Sequence, residues 1–363
     1  MFTRTQTVEG QEETVDLCVY VDDVCIYGNT DAATSHIEEE LNVKFGDMGF
    51  TDPEYFLGCN IKQTDTSIHI NHSAMIDRLA EKYFPYIAAS SVDLTKVKTP
   101  FPTASGVSLA DQPDITGGEK PITSPYRELV GSLSYIALTT RPDICFYTSQ
   151  LAKVQSNPGN KHFQMAKHCL KYLMTTREYG ITYHKDGGEL IYYVDASWAD
   201  EPPIYIPDKG GTARTVPGDH GRRSSYGYVA TYAGAPVSWA ARLHKGRRAL
   251  SSTESELVAA TEAGKDLVHM RQLLKGMGVD ISNPTPLHED NQSTINQVLK
   301  AGITQRSKHI EVRWFYVRDL QDEKELSIQK IHTSEQPADL YTKVLDAKTF
   351  TYLSRKLISL PPS

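Results

Sequence analysis

The feature that most constrains the fold of this chain is a change of periodicity after Gly187-Gly188, where helical spacing gives way to short strand-like runs. Before it, Tyr126 to Thr139, Asp143 to Gln155 and Asn160 to Thr175 carry apolar residues at helical spacing. Arg141-Pro142 leads in the second of these, and Asn157-Pro158-Gly159-Asn160 the third. After it, Leu190 to Val194, Tyr226 to Tyr232 and Val237 to Ala241 read as strands, followed by a long helix from Thr253 to Met277. The order closes with a strand at Pro286 to Glu289, helices from Asn291 to Ala301 and around Ile310 to Asp322, a strand at Leu326 to Ile331, and a last helix from Pro337. Three strands, helix, strand, two helices, strand, helix predicts an α/β layer fold with a mixed sheet and flanking helices.

A chain of 363 residues exceeds what one core usually holds, so several domains are expected. Leu17 to Tyr27 reads as strand, turn, strand with Asp22 and Asp23 at the tip, and Asp31 to Phe45 is helical through Ile37, Leu41 and Phe45. A short strand at Tyr55-Phe56-Leu57-Gly58 and a helix from Ser73 to Phe84 follow, and Lys96 to Lys120, rich in Pro, Gly, Ser and Thr, reads as a loop. The expected divisions are 1–72, 73–186, 187–350 and a tail at 351–363.

Composition narrows the class. Hydrophobic residues at 39% and charged residues at 23% are globular values. No apolar run is long enough to cross a bilayer, and the opening residues lack the apolar stretch of a signal peptide, so a soluble intracellular protein is expected. Five cysteines without zinc-site spacing imply reduced thiols. A net charge of −7 argues against coating nucleic acid through bulk charge, so phosphate contacts must come from local clusters. Basic residues gather at Arg222-Arg223, at Arg242, Lys245, Arg247 and Arg248, and at Arg306, Lys308, Arg313 and Arg318.

Four acids stand where strands end or helices begin: Asp195, Glu256, Asp290 and Asp339. Hydrolysis of a phosphodiester by two metals needs such carboxylates to converge, and magnesium suits the role because it keeps positions open for phosphate. Three of these acids have ordinary explanations. Glu256 sits three residues after Thr253, as in a capping box; Asp290 has the chemistry of an N-cap; Asp339 answers a helix dipole. Their order along the chain, Asp, Glu, Asp, Asp, is what sets them apart.

From about Leu190 to Leu345 the chain resembles the ribonuclease H domain of copia-type retrotransposon polyproteins. The resemblance lies in Val194-Asp195-Ala196-Ser197-Trp198-Ala199-Asp200, Arg223-Ser224-Ser225-Tyr226-Gly227-Tyr228, Val237-Ser238-Trp239, Leu250-Ser251-Ser252-Thr253-Glu254-Ser255-Glu256, Glu289-Asp290-Asn291-Gln292-Ser293, Lys308-His309-Ile310 and Ala338-Asp339-Leu340-Tyr341-Thr342-Lys343. It implies a ribonuclease H-like mixed sheet in which Asp195, Glu256, Asp290 and Asp339 are catalytic and hold Mg2+, with Mn2+ accepted by the same oxygens. Glu256 matches the motif's acid, with Glu254 as the fallback. The implied substrate is an RNA–DNA hybrid, read through phosphates and 2′-hydroxyls. Arg242, Lys245, Arg247 and Arg248, just before the helix bearing Glu256, are placed to meet its backbone. A His near the last helix assists water or product release in related enzymes; His332 holds that position here, with His309 as competitor. An integrase-like nuclease is disfavoured, because its acids run Asp, Asp, Glu.

The first third resembles the reverse transcriptase of the same polyproteins, on Tyr20-Val21-Asp22-Asp23, Tyr55-Phe56-Leu57-Gly58, Ser124-Pro125-Tyr126-Arg127, Gly131-Ser132-Leu133 and Thr140-Arg141-Pro142-Asp143-Ile144. This implies a partial polymerase palm and a mostly helical thumb and connection region, with Asp22 and Asp23 as polymerase-like acids. The plain alternative for that pair is a type I′ turn. A further palm aspartate and the fingers precede the paired aspartates in this family, so independent DNA synthesis is not expected. Glu201 to Gly221 is longer than the family's usual loop and is expected at the surface. Two readings of the whole follow: a metal-dependent ribonuclease fused to a truncated polymerase, with the rest of a polyprotein as partner, or an inactive retroelement remnant that binds nucleic acid.

Overall fold

The computed structural model describes residues 2–8, 11–84, 94–102, 107, 111–113, 125–198, 205–207, 213–215, 224–244, 249, 251–299 and 311–362. The chain divides into two compact units, Met1–Lys62 and Gln63–Ser363. Among the described residues no helix is long and apolar enough to cross a membrane. The five cysteines are free thiols.

In the first unit, β1 (Phe2–Val8), β2 (Gln11–Tyr20) and β3 (Asp23–Gly28) form an antiparallel sheet in that order, with Phe2 opposite Leu17 and Tyr20 opposite Asp23. The polar opening thus forms a strand that apolar alternation did not announce. Its alternate Thr residues are β-branched, which suits a pleated ribbon. At the Val21-Asp22 turn it is Val21 that takes the positive φ, 54°. Helix α1 (Asp31–Phe45) is capped by Thr30, whose Oγ1 accepts from the Ala33 N–H at 3.1 Å. A hairpin of β4 (Tyr55–Phe56) and β5 (Cys59–Gln63) follows, with Tyr55 opposite Asn60.

The second unit begins with β6 (Ser67–Asn71), α2 (Ser73–Tyr83), α3 (Tyr126–Thr139), α4 (Cys145–Lys153), α5 (Asn160–Thr175) and β7 (Ile181–His184), which pairs antiparallel with β6. Leu129, Leu133, Ile136, Leu151, Leu170 and Leu173 are fully buried there and share one core. Strands β8 (Ile191–Ser197), β9 (Tyr205–Pro207), β10 (Ala213–Thr215), β11 (Ser225–Tyr232) and β12 (Ala235–Leu243) come next. Then follow α6 (Ser252–Gly276), β13 (Thr285–Glu289), α7 (Gln292–Leu299), α8 (Glu311–Asp322), β14 (Leu326–Lys330) and α9 (Ala347–Ser354).

The main sheet runs β12-β11-β8-β13-β14. Strand β11 is antiparallel to both its neighbours, whereas β13 is parallel to β8 and β14. This strand order is the mixed sheet of a ribonuclease H-like fold. Leu257, Ala260, Ala263 and Leu267 of α6 share a core with Tyr192, Val194, Leu287 and Leu326 of the sheet and with Val317 and Leu320 of α8. At about 25 cal/mol per Å2 of apolar area, burial of this face anchors α6 to the central strand.

Two expectations need correction. The helix anticipated from Pro337 is a short 3-10 turn, Pro337–Tyr341, and α9 is a separate helix whose N-cap, Asp346, accepts from the Lys348 N–H at 2.9 Å. Between them the chain turns Thr342 and Lys343 toward Asp195 rather than continuing the helix. The Glu201 to Gly221 insertion is not loop throughout, since β9 and β10 pair with Ile206 opposite Arg214. The rest of it lies outside the described residues.

Candidate metal centre

At three helix starts a residue other than the predicted acid does the capping. Ser251 Oγ accepts from the Glu254 N–H at 3.1 Å, which makes Glu254 a first-turn residue and leaves Glu256 free. Asn291 Oδ1 accepts from Ser293 N–H at 2.9 Å and Thr294 N–H at 3.3 Å, so Asn291, not Asp290, caps α7. Gln336 Oε1 accepts from Ala338 N–H at 3.3 Å, so Asp339 is not needed as a cap. The capping explanations for Glu256 and Asp290 therefore fall to their neighbours, while Asp339 stays in the first turn of a 3-10 helix.

Asp195, Glu256 and Asp290 come together: one ligand atom from each lies within 4.8 Å of the others. Asp195 stands on central strand β8 opposite Gly227. A Cβ at Gly227 would collide with Tyr341 Cβ, so glycine lets the 3-10 turn carrying Asp339 press against the sheet. Gln336, fully buried, donates from Nε2 to Val194 O at 2.9 Å and ties the same turn to the strand beside Asp195. The Thr342 hydroxyl donates to Asp195 Oδ2. Lys343 Nζ bridges Asp339 Oδ1 at 2.8 Å and Asp195 Oδ2 at 3.5 Å. Asp290, less buried, accepts from Thr333 Oγ1 at 2.8 Å, and Lys330 Nζ donates to its carbonyl.

The electrostatics follow from taking acids out of water without matching positive charge. Burial pushes the Asp195 carboxyl up to about 7; Lys343 and Thr342 oppose the rise, and Asp339 and Asp290 add to it. Glu256 is driven well above the usual carboxylate range by burial, then by Glu289, Asp195 and Asp290. Asp339 is raised by burial and held back by Lys343. Burial works against the Lys343 charge, yet Asp195, Asp339 and Asp290 hold it above the ordinary lysine range.

Two members of this cluster were not singled out from sequence. Glu289 is fully buried at the end of β13; its Oε1 accepts from Asn291 N–H at 2.9 Å and its Oε2 has no partner. Burial, with Asp195 and Asp290 beside it, carries its carboxyl well above the usual range. Its signal was positional: β13 buries Thr285, Leu287 and Glu289 on one face, so period 2 points a carboxylate inward. Lys343 had a signal too, standing four residues after Asp339, where side chains on one helical face meet.

The remaining predicted residues are placed as follows. His332 is exposed, and its Nδ1 accepts from the Ser334 N–H at 3.2 Å; its neighbour Thr333 is the residue that donates to Asp290. Arg242 is exposed on β12 opposite Tyr226. Lys245, Arg247, Arg248 and His309 lie outside the described residues. Asp22 and Asp23 are exposed at the β2–β3 hairpin of the first unit.

No protein-family profile matches the chain. It is 29% identical over 350 residues to the retrovirus-related Pol polyprotein from transposon TNT 1-94 of Nicotiana tabacum, a match covering 95% of this chain and 24% of that protein. A transposon Ty5-1 protein of Saccharomyces cerevisiae is 30% identical over 68% of this chain and 71% of its own length. Ribonuclease H1 of Halobacterium salinarum matches 43% of this chain and 95% of its own at 17% identity, with a TM-score of 0.29. The chain belongs to the copia-type retrotransposon Pol polyproteins. It spans about a quarter of the first curated relative it matches. Strand order and family together define a ribonuclease H-like domain of a retroelement polyprotein.

Proposed function

We propose that residues 187–350, within the second unit, form a divalent-metal-dependent ribonuclease H that cuts the RNA strand of RNA–DNA hybrids. The observation that carries this reading is the convergence of Asp195, Glu256 and Asp290 within 4.8 Å, with Asp339 joined to Asp195 through Lys343. The residues fit a hard cation: the donors are carboxylate oxygens, and the buried Glu256 Oε2 has no hydrogen-bond partner. Asp195, Glu256, Asp290 and Asp339 would hold Mg2+ or Mn2+. Bound there, such ions supply an activated water and charge stabilisation at the leaving oxygen.

The chain's own residues do the rest. Gln336 and Thr342 fix the Asp339 turn and the Asp195 carboxylate, and Asn291 caps α7 so that Asp290 need not. His332, exposed and next in sequence to the Thr333 that donates to Asp290, would pass a proton in this reading. Arg242 and the neighbouring Lys245, Arg247 and Arg248 would neutralise hybrid phosphates, so replacing all four by Ala should weaken hybrid binding and flatten its salt dependence. The proposed limits of the catalytic domain are 187–350, after a palm segment at 1–72 bearing Asp22 and Asp23 and a connection at 73–186; 351–363 forms a tail.

The test is cleavage of a labelled RNA–DNA duplex with Mg2+, comparing wild type with Asp195→Asn. Loss of a metal-holding carboxylate should cost more than the roughly 10- to 100-fold typical of outer-shell partners. Full activity in Asp195→Asn would remove the site. Wild type that binds hybrid but never cuts it would favour the inactive-remnant reading.

A further inference from the structure

The acids of the metal centre form two groupings that share Asp195. Asp195, Glu256 and Asp290 lie within 4.8 Å of one another, and Asp339 is not part of that set. The second grouping, Asp195 with Asp339, already holds a cation: Lys343 Nζ, 2.8 Å from Asp339 Oδ1 and 3.5 Å from Asp195 Oδ2. The Lys343 side chain is 38% exposed, against 3% for Asp195 and 8% for Asp339. Its ammonium therefore sits at the mouth of the buried pair, on a flexible four-carbon stem that can withdraw into water. The side chains facing this position are Asp195, Asp339, Thr342 and, further off, Asp290 and Glu256.

We infer that Lys343 occupies the Asp195–Asp339 position as a built-in cation that a divalent ion must displace, so that the centre fills in order. Asp195, Glu256 and Asp290 would take the first ion: Glu256 Oε2 and the adjacent Glu289 Oε2 have neither a hydrogen bond nor an ion pair, whereas Asp339 Oδ1, without a hydrogen bond, is ion-paired to Lys343. The second enters at Asp195 and Asp339 only as Lys343 leaves, because like charges a few ångströms apart in a poorly solvated site repel strongly. Lys343 is thus a positioning residue: it sets the affinity of the second ion and holds the two carboxylates together before that ion arrives. The inference rests on the metal-centre reading above.

Mn2+ titration of the full chain, followed by calorimetry, tests it. Wild type should show two binding events, and Lys343→Met should tighten the second by about tenfold or more and the first by less, since Lys343 also pairs with the shared Asp195. Lys343→Arg, which keeps the charge, should leave the second event weak. Should Lys343→Met fold poorly, amine acylation read by mass spectrometry applies to wild type: Lys343 should become more reactive with the second equivalent of Mn2+ and not with the first. An unchanged second affinity in a folded Lys343→Met protein, or Lys343 reactivity indifferent to saturating Mn2+, overturns the inference. Two Mn2+ bound with Lys343 unmoved leaves the metal-centre reading standing; no Mn2+ bound by wild type overturns both.

Discussion

Two sets of charges are buried in the second unit, and they are built on opposite plans. Before α4, Arg141 and Asp143 are both fully buried and joined by two parallel hydrogen bonds of 2.9 and 2.8 Å. The Tyr172 hydroxyl donates to Asp143 Oδ2 at 2.7 Å, and Arg141 also donates to Thr176 O at 3.0 Å and Thr176 Oγ1 at 2.8 Å. One positive charge meets one negative charge, with donors and acceptors matched. At the sheet, by contrast, Asp195, Glu256, Glu289 and Asp339 are all buried, Lys343 alone is ion-paired to them among the described residues, and Glu256 Oε2, Glu289 Oε2 and Asp339 Oδ1 have no hydrogen-bond partner. Folding alone accounts for the first set, because a well-bonded buried pair offsets its own desolvation. In the second set burial and mutual proximity raise the carboxyls above their usual range, which supports the metal-site reading proposed above.

The sharpest way to break this comparison is to remove one charge from each set. Asp143→Ala should destabilise the protein by about 3–5 kcal/mol in chemical denaturation, because Arg141 is left buried and unpaired. Glu256→Gln in metal-free protein should do the opposite and stabilise by about 1–2 kcal/mol, while abolishing hybrid cleavage. If both variants lose stability alike, the distinction drawn here is wrong.

The pH dependence sharpens the same contrast. An acid held above its unfolded value binds protons more tightly when folded, so its contribution to stability declines as pH rises. For Asp195 that decline should begin near the unfolded carboxylate value of about 4 and be complete above about 7. Glu256, Glu289 and Asp339 are shifted the same way. The melting temperature of metal-free protein should therefore fall between pH 5 and pH 8, and saturating Mg2+ should flatten the slope. A slope indifferent to Mg2+ would argue that the carboxylates relieve their repulsion in some other way.

Smaller effects belong to the framework that holds the acids. Gly227→Ala forces a methyl group against Tyr341 and should cost about 1–3 kcal/mol, with cleavage weakened because the Asp339 turn is displaced from β8. Gln336→Ala removes the hydrogen bond to Val194 O and should cost about 1 kcal/mol. Both are read by denaturation together with Mn2+ affinity, which should fall in each.

Much of the second unit could be read before any coordinates. The helix at 160–175 has the limits its periodicity indicated, and the strands and α6 differ from their sequence limits by a few residues. The polar β1 strand escaped notice because its alternation is of Thr with other polar residues rather than of apolar with polar. Near the end of the chain Pro337 suits the start of either a 3-10 turn or an α-helix, so local sequence does not separate the two. What separates the two is where Asp339, Thr342 and Lys343 must point.

The sequence by itself determined the order of strands and helices and the order of the four acids, because periodicity and helix-start chemistry act over a few residues. It also carried the caps, Ser251 and Asn291, that release Glu256 and Asp290 from ordinary duty. Only the tertiary structure decided which charges are neighbours. Thr342 reaches Asp195 across 147 positions of chain, and Gln336 reaches Val194 across 142. Local pattern tells a side chain which face it occupies; strand register and the packing of a turn against Gly227 tell it what stands opposite, and that is what brings Glu289 and Lys343 to Asp195.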